Sequence, residues 1–284
     1  MIDFPIGVFD SGIGGLSVLQ SLQIAMPAEH FVYWADSGHA PYGEKTDLFV
    51  RQRSQAIAAH LKAQHHIKAL VVACNTATAA AIDALRMQHP DLILIGVEPA
   101  LKPALKISQT GHIGVIGTRG TLGSDKFYRL LSSLQAQAQF HVQPCNGLAL
   151  AIEQSTDAQT AGLAQLRITT LLKRYTQAMG NFGTHPGQMD TLVLGCTHYV
   201  FAERALRDLL GPQVHLVSTG QAVARQTQRL LQAKALLHNG SAPLDVSAGS
   251  VKLLTNGDLS SLQAAARRWL GLPANACQQA DVHV

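Results

Sequence analysis

Two short passages end a run of apolar β-formers on a cysteine followed by polar residues: Leu70-Val71-Val72-Ala73-Cys74-Asn75-Thr76 and Leu192-Val193-Leu194-Gly195-Cys196-Thr197-His198. Each then enters a helix-like stretch that reaches the same triplet, Ala84-Leu85-Arg86 and Ala205-Leu206-Arg207. A single cysteine at the end of an apolar strand is usually a small buried hydrophobe. Two in matching contexts, 122 residues apart, point to one structural unit used twice, presenting two thiols to a shared site.

The remaining pattern fits that duplication. Apolar strands alternate with helical stretches: strands at 5–10, 31–35, 69–73 and 92–97, and helices at 15–25, 47–64 and 77–88. Such continuous apolar strands with intervening helices predict parallel sheets covered on both faces. The pattern then restarts. Ile113-Gly114-Val115-Ile116-Gly117 echoes Ile6-Gly7-Val8-Phe9-Asp10, the 192–195 strand echoes 69–73, and 214–217 echoes 92–97. A strand at 140–143 and a long helix at 160–179 lie between. A basic helix at 221–238, a strand at 251–255 and a helix at 259–270, with Asp258 as its N-cap, are surplus to the second copy and are expected to fold back on the first. The expected fold is therefore α/β with two pseudo-symmetric domains, each a mainly parallel sheet flanked by helices. Residues 1–97 plus 219–284 form the first domain and 98–218 the second.

Composition narrows the function. With 47% apolar and 14% charged residues in 284 positions, a large core is available and disorder is not expected. Net charge is only +4 with scattered basic residues, so no nucleic-acid footprint is expected. No apolar run has the length of a membrane span, and the acid-bearing N-terminus does not resemble a signal peptide; a cytoplasmic location is expected. The cysteines Cys74, Cys145, Cys196 and Cys277 lack CxxC spacing, and the 13 histidines form no HExxH pattern. Neither a disulfide framework nor a metal site is expected.

Ligands of parallel α/β sheets bind beyond the carboxyl ends of the strands, and the polar clusters lie there: Asp10-Ser11, Tyr42-Gly43, Cys74-Asn75-Thr76, Thr118 to Thr121, and Cys196-Thr197-His198. Singly, Asp10, Asn75 and Thr197 read as helix caps and the cysteines as core fillers; their joint placement favours a site. Asp10-Ser11-Gly12-Ile13-Gly14-Gly15 invites a dinucleotide reading, but Ser17 occupies the third glycine position and Asp10 would face a pyrophosphate. It reads better as a tight turn aiming an acid at a site.

Two facing thiols can do what one cannot. A free cysteine thiol ionises with a pKa of about 8.5. One of the pair can therefore be held as thiolate and the other as thiol, so one removes a proton from carbon while the other returns one to the opposite face. That is racemisation, and it requires no cofactor if the site stabilises the carbanion. Asp10 and His198 are the natural groups to tune the thiols. The rival readings are a nucleotide-dependent oxidoreductase using the glycine turn and a Cys74–Cys196 redox switch.

Four motifs carry a resemblance over nearly the full length: Phe9-Asp10-Ser11-Gly12-Ile13-Gly14-Gly15-Leu16-Ser17-Val18, Pro41-Tyr42-Gly43-Glu44-Lys45, Ala73-Cys74-Asn75-Thr76-Ala77 and Gly195-Cys196-Thr197-His198-Tyr199. Together they resemble the glutamate racemases, within the aspartate/glutamate racemase family. The resemblance implies cofactor-independent interconversion of L- and D-glutamate, supplying D-glutamate for peptidoglycan, by a protein whose active site lies between its two α/β domains and that pairs as a homodimer. It implies that Cys74 takes the proton from the D-enantiomer and Cys196 from the L-enantiomer, assisted by Asp10, Glu153 and His198. It further implies that Asp10, Ser11, Tyr42, Gly43, Asn75, Thr76, Thr118, Thr121, Thr197 and His198 hold the substrate. In the related aspartate racemases the second cysteine is typically followed by Thr-Glu; here Thr197-His198 follows, which favours glutamate. Val200-Phe201 stands where Pro-Leu is usual, an expected change at the start of the next helix.

Overall fold

The computed structural model describes residues 2–156, 159–238 and 249–282. Among the described residues ten strands form two wholly parallel sheets. In chain order they are β1 (Ile6–Asp10), β2 (Phe31–Ala35), β3 (Ala69–Val72), β4 (Ile93–Gly96), β5 (His112–Gly117), β6 (Gln139–Pro144), β7 (Thr191–Gly195), β8 (His215–Val217), β9 (Val251–Thr255) and β10 (Cys277–Gln279). The first sheet runs β10-β9-β2-β1-β3-β4 and the second β6-β5-β7-β8. Superposing the chain order of the halves turns β2-β1-β3-β4 into β6-β5-β7-β8, so the internal duplication extends to topology. The chain is α/β with two such layers, as expected.

Burial explains the strand composition. β1, β2, β3 and β7 are buried along their whole length, because helices cover both faces and no position can be polar without a partner. Each fully buried Val or Leu contributes about 1.5–3 kcal/mol. The helices Leu16–Ala25 and Gly220–Ala233 pack together on the first sheet, and β9 pairs with β2. The C-terminal elements do fold back onto the first layer. Asp258 caps Leu259–Leu270, its carboxylate accepting from the Ser261 N–H.

Several elements differ from the sequence expectation. The basic helix ends at Ala233 rather than His238. A buried ion pair, Lys68 with Glu29, captures the chain beyond it: Lys68 Nζ donates to the Leu236 carbonyl and Glu29 accepts from the His238 N–H. Helix Asn75–Gln88 starts two residues earlier than expected, because the Cys74 sulfur itself caps it, accepting from the Ala77 N–H at 3.4 Å. The short helices Leu101–Ile107, Arg119–Leu122, Asp125–Ser132 and Leu148–Gln154, and the strand β10, had no sequence expectation; they are too short for a period to register. After Cys196 the chain forms a 3₁₀ segment, Thr197–Ala202, before helix Glu203–Leu210. Phe201 of that segment stacks on Trp269 at 3.7 Å and 9°. The pair joins the second layer's core to a helix of the first.

Candidate active site

Strand register brings the polar ends together. β1 and β3 are neighbours, with Phe9 opposite Val72 and the Ala73 N–H donating to the Phe9 carbonyl. Asp10 and Cys74 therefore leave the sheet side by side. In the second layer Gly117 lies opposite Gly195, which sets Thr118 beside Cys196. The two layers meet at these edges: Thr197 donates to Asp10 Oδ2 at 2.8 Å and Ser17 to the Thr197 carbonyl at 3.2 Å.

Around Cys74 the groups form a chain. Its sulfur donates to Ser11 Oγ at 3.8 Å, and Ser11 donates to Asp10 Oδ1 at 2.9 Å. Cys74, Ser11 and Asp10 are all buried. Burial pushes the Cys74 thiol up, and the charges of Asp10 and Cys196 push it further, against the hydrogen bond from the Ala77 N–H and the one shared with Ser11. Burial also raises the Asp10 carboxyl above the usual carboxylate range, over the opposing pull of His198, Thr197 and Ser11. A thiol, a hydroxyl and a carboxyl with a raised pKa, each within hydrogen-bond reach of the next, make a path along which a proton can move.

Cys196 has different company. Its sulfur lies 3.8 Å from His198 Nδ1, and His198 Nε2 is 2.7 Å from Glu153 Oε2. Glu153 is fixed by the first layer, accepting from the Ile13 N–H at 3.0 Å and from Ser37 Oγ at 2.7 Å. Burial works against charge on His198, but hydrogen bonds and charges from Cys196 and Glu153 outweigh it and hold the imidazole well above the ordinary histidine range. A raised histidine stabilises the fold fully below its unfolded pKa of about 6.5 and loses that contribution as pH rises through the folded value. Glu153→Gln is accordingly expected to cost about 2 kcal/mol near neutral pH and to flatten the fall in Tm as the pH rises above about 6.5. Calorimetry across pH checks this; a variant curve parallel to the wild-type one would show that the pair does not set it.

Gly12 and Gly14 make this approach possible. A Cβ on Gly12 would overlap the Glu153 carboxylate, and one on Gly14 the His198 ring. The glycine turn is thus a surface against which the second layer's acid and base are seated.

The hydroxyl cluster lies at the other strand ends. Thr76 Oγ1 is 3.0 Å from Thr118 Oγ1 and 3.2 Å from Thr121 Oγ1, and Thr118 donates to Thr121 at 3.0 Å. Gly43 packs against Thr118 and Gly120. Tyr42 is buried beside it, its hydroxyl donating to Asp36. Asn75 Nδ2 donates to the Val97 carbonyl at 3.4 Å, while its buried Oδ1 has no partner among the described residues. Asp10, Ser11, Cys74 and Thr197, and separately Cys196, His198 and Glu153, are joined by side-chain contacts, as are Thr76, Thr118 and Thr121, whereas the side chains of Asn75 and Tyr42 bond outside these groups, to Val97 and Asp36. The sequence reading missed Ser37, Ile13 and Asp36; Ser37 and Asp36 follow β2 directly, so the rule of strand carboxyl ends could have found both.

All four cysteines are free. Among the described residues no group of three or more His, Cys, Asp or Glu side chains is disposed to hold a metal ion, and no helix is long and apolar enough to cross a membrane.

The family profile for Asp/Glu/Hydantoin racemase matches residues 6–227. The chain belongs to the Asp/Glu/hydantoin racemase family. It is 44% identical over 281 residues to the glutamate racemase of Ectopseudomonas mendocina, covering 99% of this chain and 97% of that one. Among solved structures it is similar to a glutamate racemase isoform of Bacillus anthracis, with a TM-score of 0.81, 32% identity and coverage of 98% and 97% of the two chains. It is also similar to Escherichia coli glutamate racemase in complex with L-glutamate and the activator UDP-MurNAc-Ala, with a TM-score of 0.79, 28% identity and 99% coverage of both chains. Membership extends across both layers and therefore includes both cysteine-bearing strand ends.

Proposed function

We propose that this chain interconverts L- and D-glutamate by a cofactor-independent, two-base reaction in which Cys74 and Cys196 act on opposite faces of the α-carbon. One observation carries the reading: two thiols from equivalent strand ends share one buried, hydrogen-bonded cluster, linked from Cys74 through Ser11 and Asp10 to Thr197, the neighbour of Cys196. From D-glutamate the Cys74 thiolate takes the α-proton and becomes a thiol, while Cys196 gives its proton to the opposite face and becomes a thiolate. The L to D direction is the reverse. Between D-to-L turnovers Cys74 passes its proton along Ser11 to Asp10, which releases it to solvent, and the Cys196 thiolate takes a proton from the His198 imidazolium, which Glu153 holds in place and solvent reprotonates.

The developing carbanion and the carboxylates need fixed donors. Ser11, Thr76, Thr118, Thr121 and Thr197 supply hydroxyls, and the helix begun by Asn75 supplies the positive end of its dipole. The Asn75 amide, Tyr42 and Gly43 complete the substrate contacts. Because the two thiols are only 5% and 6% exposed, glutamate enters when the layers part and reacts when they close. Closure excludes water that would otherwise solvate the charged intermediate. The reading includes two domains, residues 1–97 plus 219–284 and residues 98–218, a homodimeric and cytoplasmic protein, and D-glutamate supplied to peptidoglycan.

Circular dichroism of the purified protein with L-glutamate or L-aspartate, and no added cofactor, tests it. The glutamate signal is expected to decay to zero and the aspartate signal to persist. Equal or faster loss with aspartate, or activity only after adding pyridoxal phosphate, would overturn the assignment.

A further inference from the structure

Arg53 lies within helix Asp47–His65, where the sequence offers many charged residues to water, yet it is only 4% exposed. Its Nε donates to Asp36 Oδ2 at 3.0 Å, its Nη2 donates to Asp36 Oδ1, and its Nη1 donates to the Val282 carbonyl at 2.8 Å. This is the planar, two-point grip that a guanidinium makes and an ammonium does not. Asp36 is fully buried immediately after β2 and also accepts from the Tyr42 hydroxyl and from Asn256 Nδ2, the latter at 2.7 Å. Against burial, the hydrogen bonds from Arg53 and Tyr42 hold its carboxyl below the usual carboxylate range.

What hangs from Asp36 is the segment between β2 and that helix, which forms the 3₁₀ turns Ser37–His39 and Tyr42–Glu44. At one end Ser37 holds Glu153, the partner of His198. At the other, Gly43 rests on Thr118 in the hydroxyl cluster, and Glu44 accepts from the Gly147 N–H at 3.3 Å. One short segment thus touches both the group around Cys196 and the hydroxyl cluster.

We propose that Arg53 is a positioning residue for racemisation: by gripping Asp36 and the Val282 carbonyl it sets the 37–44 segment, and through it Glu153 and the Tyr42-Gly43 edge of the substrate site. The kinetic part rests on the glutamate racemase reading above. A merely structural Arg53 would change stability and leave the constants of the folded enzyme alone.

The test compares full-length wild type, Arg53→Lys, Arg53→Met and Asn256→Ala by glutamate kinetics in both directions, thermal melting, and hydrogen exchange of peptides covering 37–44 and β1. For Arg53→Lys we expect KM to rise about tenfold in both directions with a smaller fall in kcat, since uniform binding is what is lost. Exchange in 37–44 should quicken about tenfold, as expected of a segment that has lost its tether, while β1 stays protected. Asn256→Ala should show the same pattern, more weakly. A lower Tm with wild-type KM and wild-type exchange in 37–44 overturns the proposal. If Arg53→Met does not fold, the lysine and Asn256 variants decide by the same criteria. If the wild-type enzyme itself does not racemise glutamate, the functional reading fails, and the exchange data still decide whether Arg53 sets the segment.

Discussion

Replacing either Cys74 or Cys196 with serine is expected to lower glutamate racemisation by at least about a thousandfold, the scale of a lost general acid or base. A serine hydroxyl neither holds a negative charge near neutral pH nor returns a proton as readily as a thiol. The fold should survive. Cys74 caps helix Asn75–Gln88 through its sulfur, and serine is a better cap than cysteine; Cys196 makes no cap hydrogen bond. Far-ultraviolet dichroism and melting should therefore stay close to wild type while the rate falls. Racemisation surviving either change would remove the two-base reading. In D₂O, solvent deuterium should enter mainly the inverted product in early turnover, because the returning hydrogen comes from a solvent-exchanged thiol. Label found chiefly in recovered starting enantiomer would point to one base acting on one face.

Gly14→Ala is the second large effect, expected to cost at least about a hundredfold in kcat, the scale of a displacement near 1 Å in the reacting groups. Gly14 has no left-handed backbone to explain it; its positive-φ counterparts lie elsewhere in the chain. Space is the constraint. A methyl group there would overlap the His198 ring, and the turn cannot retreat, because Leu16, Ser17 and Val18 bond back onto the carbonyls of Ile13, Gly14 and Gly15. His198 must move away from Cys196 or Glu153. Gly162→Ala is the control: it lies in helix Ala161–Met179, and nothing is within 4 Å of a Cβ there. That change should add about 0.5–1 kcal/mol of stability with unaltered kinetics. Wild-type kcat in Gly14→Ala would show that the histidine's place is not set by the turn.

The strand–cysteine units and the glycine turn were legible because their information is local. An apolar run, a polar break and a helical period lie within about fifteen residues, and chain order alone then pairs one unit with its repeat. The same locality gave the parallel layers and the placing of Asp10, Cys74, Thr118 and Cys196 at strand ends. Glu153 was nameable only through family resemblance. It lies at the end of a seven-residue helix, Leu148–Gln154, and its partners Ile13 and Ser37 are more than a hundred positions away.

Arg53 marks the limit more sharply. Within Val50-Arg51-Gln52-Arg53-Ser54 its neighbours make it read as one more solvated charge, yet Arg51 is exposed and Arg53 buried. The difference comes from Asp36 and the Val282 carbonyl, brought to it by β2 and the C-terminal segment. Sequence by itself determined which elements form and which chemical groups sit at their ends, since short-range sterics and hydrophobic burial decide both. Only the tertiary structure decided which acid meets which base, because that pairing depends on packed distances between segments remote in the chain, and no local pattern records them.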